Sequence, residues 1–289
     1  MNIITIAIVM VGYVSTWGGY ASASPQRVVS LTLAADEVLM ALLPSSADRN
    51  RIAALSSKAI EGFRSHVAKE AKGIPLVYGD NIEEIIKLKP DLVILASYNR
   101  PALKSQLTKL KVPTVTLEAF NGPEDLADNI MIIGRAIDRV QEAKKLVDDF
   151  WLKLKAVKLE LDGRKSRPTI LTYYPDGTIF GTSTTVDALI EAAGARNLAR
   201  DLGLKGWVKL SREQLATLNP DFLLVTEETQ SRDLILTRIQ KEAGWRSQKA
   251  VKEGRLIVVP ERDLLTLSHH FAGAVERFQS RLKTLAAKP

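Results

Sequence analysis

The chain has no cysteine. That excludes disulfides, iron–sulfur clusters, thiolate zinc sites and a cysteine nucleophile. It also removes the lipid-carrying cysteine of a bacterial lipoprotein. Histidine is nearly as scarce, with three in 289 residues. A receptor for free zinc needs clustered histidine and acidic ligands, and three histidines, two of them adjacent, do not make that cluster. Nor is there a block of basic residues: 40 Lys+Arg against 33 Asp+Glu give a net +7 that is spread along the chain. Without basic runs interleaved with aromatics, nucleic-acid binding is a weak reading. The excess better suits a mildly positive surface or cleft that favours an anionic ligand.

Long apolar runs are missing as well, with one exception. Before Arg27 no residue carries a charged side chain, and the stretch from Ile3 to Val14 is apolar. It has the length of a signal-peptide core and is short for a membrane span. Ala21-Ser22-Ala23 supplies a small-x-small cleavage site before Ser24. The leader lacks the usual Lys or Arg near its start, leaving only the terminal amine. Residues 1–23 are expected to be a cleaved signal peptide, and the mature protein a soluble periplasmic one that is not a lipoprotein. The chain as a whole is 46% hydrophobic and 25% charged. Those proportions are ordinary for a globular protein of one large or two modest domains.

Past the leader, "RVVSL" reads as a strand, "AADEVLMALL" as a helix stopped by Pro44, and "RIAALS" and "GIPLVYG" as further strands. Asn81 is a natural N-cap, with Glu84 placed to close a capping box. Ile82, Ile85 and Ile86 form an inward stripe, Pro90 ends the helix, and "DLVILAS" is the unbroken apolar strand of a parallel sheet. "PALKSQLTKL" and "VPTVTLE" add a helix and a strand. From Pro123 the strand signal vanishes. Val140, Ala143, Leu146 or Val147, Phe150, Leu154, Val157 and Leu161 recur at helical spacing, predicting one helix of about 24 residues. Strands then return with "RPTILTYY", "DFLLVTE" and "GRLIVVP", and "SHHFAGAVERFQSRLKTLAA" closes the chain as a helix.

One sentence is written twice. "NIEEIIKLKPDLVIL", 81–95, is echoed 130 positions later by "SREQLATLNPDFLLV", 211–225. Glu83/Glu213, Leu88/Leu218, Pro90/Pro220 and Asp91/Asp221 match. Ser211 and Gln214 form the second capping box. The fold class that follows is α/β, with two Rossmann-like lobes of parallel sheet joined by a long α-helix. Its predicted parts are an N-terminal lobe over 24–122, a helical linker over 123–166 and a C-terminal lobe over 167–289. The cleft between the lobes faces the carboxyl ends of the strands, where open α/β sheets bind ligands.

These stretches resemble the solute-binding proteins of ABC importers for iron–siderophores, heme and cobalamin, the helix-backbone class III type. The resemblance runs from "RVVSLTLAADEVLMALL" through both echoed segments and "TSTTVDALIEAAGARNLA" to the last helix. It implies a rigid monomeric receptor without a resident cofactor. Such a receptor captures a bulky metal chelate and delivers it to a permease dimer in the inner membrane. It also implies that Glu83 and Glu213 dock one lobe each on arginine-rich pockets of that permease. The alternative for both is plain helix-start chemistry, since a carboxylate in the first turn gains about 0.3–1 kcal/mol from the helix dipole anywhere.

Loops after strands give the candidate ligand contacts. In the first lobe these are Thr32, Leu33, Ser56 to Lys58, Tyr78 to Asn81, Tyr98 to Arg100 and Phe120. In the second they are Tyr173, Tyr174, Thr182 to Thr185 (Thr184 foremost), Trp207, Glu228, Arg262, and His269 or His270, with His270 favoured. Aromatics supply flat apolar area, and Arg and Lys supply charge for carboxylates or phosphates. Each has a blander role open to it. Tyr173 and Trp207 also suit packing in a core, Arg100 suits a solvated surface, and Ser268 suits capping the last helix. His66 reads as a residue of a surface helix. Ligation of a heme or cobalamin metal by His269 or His270, or of heme by a cleft tyrosine, stays open. "GTSTTVDAL" invites a phosphate-loop reading but lacks the Gly-Lys-Ser/Thr ending. No nucleophile–base pair or paired carboxylates stand out, so the chain is not expected to be an enzyme. The competing readings are a two-lobe α/β enzyme, such as a nucleotide-sugar transferase, and a surface adhesion module.

Overall fold

The computed structural model describes residues 24–161, 167–174, 176–227, 232–242 and 244–286. The predicted signal peptide and Glu228 lie outside the described residues. The first lobe holds β1 (Val28–Ser30), β2 (Ile52–Ser56), β3 (Leu76–Val77), β4 (Leu92–Ala96) and β5 (Thr114–Leu117). They form one sheet in the order β3-β2-β1-β4-β5, and every neighbouring pair is parallel. The second lobe holds β6 (Thr169–Tyr173), β7 (Thr178–Phe180), β8 (Arg196–Asn197), β9 (Trp207–Lys209), β10 (Phe222–Glu227) and β11 (Leu256–Pro260). Four of these make a parallel sheet ordered β11-β10-β6-β8, while β7 and β9 pair antiparallel as a separate ribbon.

Both sheets are covered on both faces, as their unbroken apolar strands require. In the first, Val28, Leu92 and Ile94 pack on Val38 and Leu42 of the helix Leu33–Leu42. The alternate residues Val29, Val93 and Leu95 turn to Ile85, Leu103 and Leu107. In the second, Ile170, Leu224 and Ile257 share one face, and Leu171, Leu223 and Val225 share the other.

The echoed sentence has one structural job in each lobe. Asn81 caps the helix Ile82–Lys87 and Ser211 caps the helix Arg212–Thr217. The matched aspartates then clasp the first strand of their own lobe. The carboxylate of Asp91 accepts the backbone N–H groups of Gln26 (2.7 Å) and Arg27 (2.8 Å), at the entry to β1. Asp221 accepts the backbone N–H and the hydroxyl of Thr169, both at 2.8 Å, at the entry to β6. β1 pairs with β4 and β6 with β10, so each clasp locks the strand beside its own echo segment. Ser211 and Gln214 form the full reciprocal capping box. Asn81 does not: its side-chain oxygen accepts from the N–H groups of Glu83 and Glu84. Its amide nitrogen, not its backbone N–H, reaches the Glu84 carboxylate.

The helix Val140–Leu161 has 22 residues and is about 33 Å long. Its inward stripe serves two cores. Ala143 and Leu146 pack into the first lobe, and Phe150, Leu154, Val157 and Leu161 pack into the second. The helix Pro123–Ala136 runs against it, touching so closely that a Cβ on Gly134 would stand 2.3 Å from that of Ala143. Two further features differ from the sequence reading. The ribbon β7–β9 is one, because three-residue strands leave no legible alternation. The surroundings of His66 are the other, being a run of turns rather than a surface helix.

Candidate functional site

A cavity of about 920 Å³ lies in the cleft between the lobes. The first lobe contributes the loops at the carboxyl ends of all five strands: Leu31 to Ala34, Ser56 to Lys58, Gly79 with Asp80, Ser97 to Asn99, and Glu118 to Asn121. The second contributes Phe180, Ser183 to Val186, Trp207, Glu261 and Leu265 to Leu267.

Four aromatic rings stand in this wall, two from each lobe. Tyr98 is 55% exposed, and its ring is tilted against Phe120 at 5.5 Å. Its hydroxyl end is enclosed and hydrogen-bonded to that of Thr32, and burial holds its pKa above the ordinary tyrosine value. That bond engages Thr32, which caps the helix Leu33–Leu42 without a side-chain bond. Opposite, Trp207 is 67% exposed and sits edge-on to the buried Phe180 at 4.6 Å. The close turn between these rings depends on Gly181, where a Cβ would stand 2.2 Å from the carbonyl oxygen of Leu204.

Most of the charge in the wall is paired. Asp80 accepts from Arg100 at 3.1 Å, Glu118 from Lys104 at 3.3 Å, and Glu261 from Arg64 at 2.8 Å. Lys58 has no ion-pair partner among the described residues and is exposed. Glu37 is buried, and burial raises its pKa to about 7. Its carboxylate accepts the backbone N–H of His66 and the hydroxyl of Ser268. Its neighbour Asp36 is likewise raised to about 7 by burial, against the hydrogen bonds it accepts from Ser56 and Ser30. Thr266, 4% exposed, has a hydroxyl with no partner among the described residues.

Of the residues singled out from sequence, Thr32, Leu33, Ser56 to Lys58, Gly79, Asp80, Tyr98, Asn99, Phe120, Ser183 to Thr185 and Trp207 line this cavity. The others stand elsewhere. Tyr78 is 64% exposed but lies outside the wall, to which its neighbours Val77, Gly79 and Asp80 belong. Arg100 is exposed and outside the wall, paired to Asp80. Tyr173 is buried in the second core, edge-on to Trp245 and donating to Glu242, because strand alternation turns it away from the cleft. Tyr174 packs behind Phe180. Arg262 donates to the carbonyl of Gly62, and His270 stacks on His66. The carboxylates Glu37 and Glu261 were missed. A charged residue inside an apolar helical pattern was the available signal for Glu37, in "AADEVLMALL".

Glu83 and Glu213 occupy the same place, the second residue of a capped helix, one on each lobe, and both are exposed. Hydrogen bonding to the backbone at the helix start, then to Ser211, lowers the pKa of Glu213.

Two α/β lobes on a helix shared by both cores, closing on a cavity with aromatic walls, define a two-lobed solute-binding protein. The chain belongs to the periplasmic binding protein family, whose sequence profile matches residues 28–262. An uncharacterized ABC transporter substrate-binding lipoprotein of Bacillus subtilis is 28% identical over 244 residues, covering 80% of this chain and 74% of its own length. An iron-uptake system-binding protein of the same organism is 27% identical over 190 residues, 62% of this chain and 57% of that one. Among solved structures, a periplasmic heme-binding protein from Roseiflexus in its apo form superposes with a TM-score of 0.76 at 22% identity. The match covers 90% of this chain and 99% of that one, and it speaks to the fold.

Proposed function

We propose that this chain is the periplasmic receptor of an ABC importer and carries a metal chelate in its cleft, a ferric siderophore first, heme or cobalamin next. Membership of the periplasmic binding protein family and the likeness to ABC substrate-binding proteins support the transport role. The single observation that carries the cargo class is the opposition of Tyr98 and Trp207. Two exposed aromatic rings from different lobes face one cavity of about 920 Å³. A free metal ion or small oxyanion needs neither that room nor flat apolar area, whereas a chelate with a ring or macrocycle needs both. Binding is noncovalent and the receptor is not an enzyme. It works as a monomer with lobes over 24–122 and 167–289 joined by 123–166. With no cysteine to lipidate, it is released behind a cleaved leader. Glu83 and Glu213 dock its lobes on the permease dimer.

The test is titration of the purified protein with a ferric siderophore, heme and cobalamin, followed by tryptophan quenching and absorption spectroscopy. One of the three is expected to bind. Tyr98→Ala or Trp207→Ala then weakens binding by about 10- to 100-fold, at roughly 1–3 kcal/mol per buried aromatic contact. Binding to none of them, together with turnover of a nucleotide sugar, overturns the reading in favour of an enzyme.

A further inference from the structure

All three histidines of the chain meet at one place. His66 comes from the first lobe, while His269 and His270 lead into the last helix of the second. The rings form a column, His66 stacked on His270 at 4.2 Å and His270 against His269 at 4.0 Å. Nδ1 of His269 and Nε2 of His270 are buried without a hydrogen-bond partner among the described residues.

The column belongs to a seam that ties the lobes below the cavity. The backbone N–H of Arg262 donates to the carbonyl of Phe63 at 2.9 Å, and its guanidinium donates to that of Gly62 at 2.8 Å. His66 Nε2 lies 3.0 Å from the carbonyl of Arg262. Arg64 pairs with Glu261, and Ser268 donates to Glu37. Arg64, Glu261 and Glu37 are also cavity wall, so the seam is continuous with the floor of the cleft.

We propose that this column is a proton-operated latch: charging its imidazoles in acid parts the seam, opens the cleft and loosens the hold on cargo. The inference rests on the cleft being the cargo site. The surroundings of the rings favour it. Facing them are three cations: Arg262, Arg277 from the last helix, and Lys153 from the long helix. The nearest carboxylate, Asp263, is 3.5 Å from His66 and already holds Arg277 through bonds of 2.6 and 2.8 Å. Two stacked rings about 4 Å apart cannot both take a proton there without strong repulsion. Burial accordingly depresses all three imidazoles, His269 to about 4 and His270 further. Glu37 titrates in the opposite sense, since burial favours its protonated form. A neutral Glu37 still presents a carbonyl oxygen to Ser268, so its titration leaves the seam joined. Parting the seam returns His269 and His270 toward the ordinary value of about 6.5, which at pH 5 favours the open form by about 30-fold for each of these two rings.

The absence of native cysteine makes the test clean. Leu110→Cys in the first lobe and Leu202→Cys in the second are exposed sites for a pair of spin labels. Pulsed dipolar spectroscopy on the unliganded protein then gives the lobe separation at about pH 7.5 and about pH 5. The distance distribution is expected to move outward in acid in the parent. With His269→Phe/His270→Phe, which keeps two flat rings, it should hold its neutral-pH position at both pH values. Glu37→Gln should still open. If the double variant misfolds by circular dichroism, the single variants His269→Phe and His270→Phe answer the same question, each reducing the acid shift. An unmoved distribution in the parent, or an outward shift that persists undiminished in the phenylalanine variants, overturns the latch. No ligand enters the measurement, so a failed latch leaves the cargo reading standing, and failure to bind any chelate leaves the latch result standing.

Discussion

Asp36 and Glu37 are neighbours in the chain, both buried, and both held near pH 7. Asp36 is the cleaner probe because its hydrogen bonds are internal to the first lobe. Its carboxyl binds a proton more tightly folded than unfolded. The stability this contributes is present below about pH 4 and is lost as pH rises through about 7. Asp36→Asn fixes the neutral state. Its melting temperature, followed by circular dichroism from about pH 5 to about pH 8, should fall several degrees less than that of the parent. An unchanged slope would show that Asp36 is ionised at little cost. The buried histidines run the other way, their contribution fading as pH drops below about 6.5, so between about pH 4 and about 6.5 the two sets offset each other in the parent and the comparison with Asp36→Asn isolates the carboxyl's share.

At the scale of elements, two short capped helices present one carboxylate each at the same helical position. If these are the docking feet, Glu83→Arg with Glu213→Arg abolishes cargo uptake in cells and leaves the affinity of the purified receptor unchanged. Uptake at the parental rate would assign both residues to helix-start chemistry alone. Elements of this kind were the legible part of the sequence. Caps, proline stops and unbroken apolar strands announced both sheets, and the stripe of Val140 to Leu161 announced the long helix. What stayed hidden depends on partners far away in sequence. Tyr173 and Tyr98 both follow an apolar run, and only the strand's reach to Tyr173, set by its pairing with β10, turns it into a core while the ring of Tyr98 faces the cleft. Nor could "SHVAKE" reveal that His66 meets residues about 200 positions later. The clasping role of Asp91 and Asp221 was similarly invisible, although the residues themselves were matched.

For the whole molecule the decisive fact is that the cores are not separate. Phe120, Val147 and Leu267 each pack against both the first-lobe and the second-lobe cluster. Removing one lobe would expose apolar surface of the other, which couples their stabilities. Calorimetry should therefore record one cooperative unfolding transition at neutral pH, with calorimetric and van't Hoff enthalpies in agreement. Two resolved transitions would show lobes that fold independently, joined only by a tether.

A helix that belongs to two cores is a bearing with little play. With Val147 wedged between the clusters and Gly134 flush against Ala143, the lobes have few degrees of freedom along the spine. While the histidine seam is joined, at neutral pH, the aperture of the mouth is thus largely set when the protein folds, not when cargo arrives. A fixed aperture sorts by gauge: solutes too small to touch Tyr98 and Trp207 together fall through unheld, and those too wide never seat.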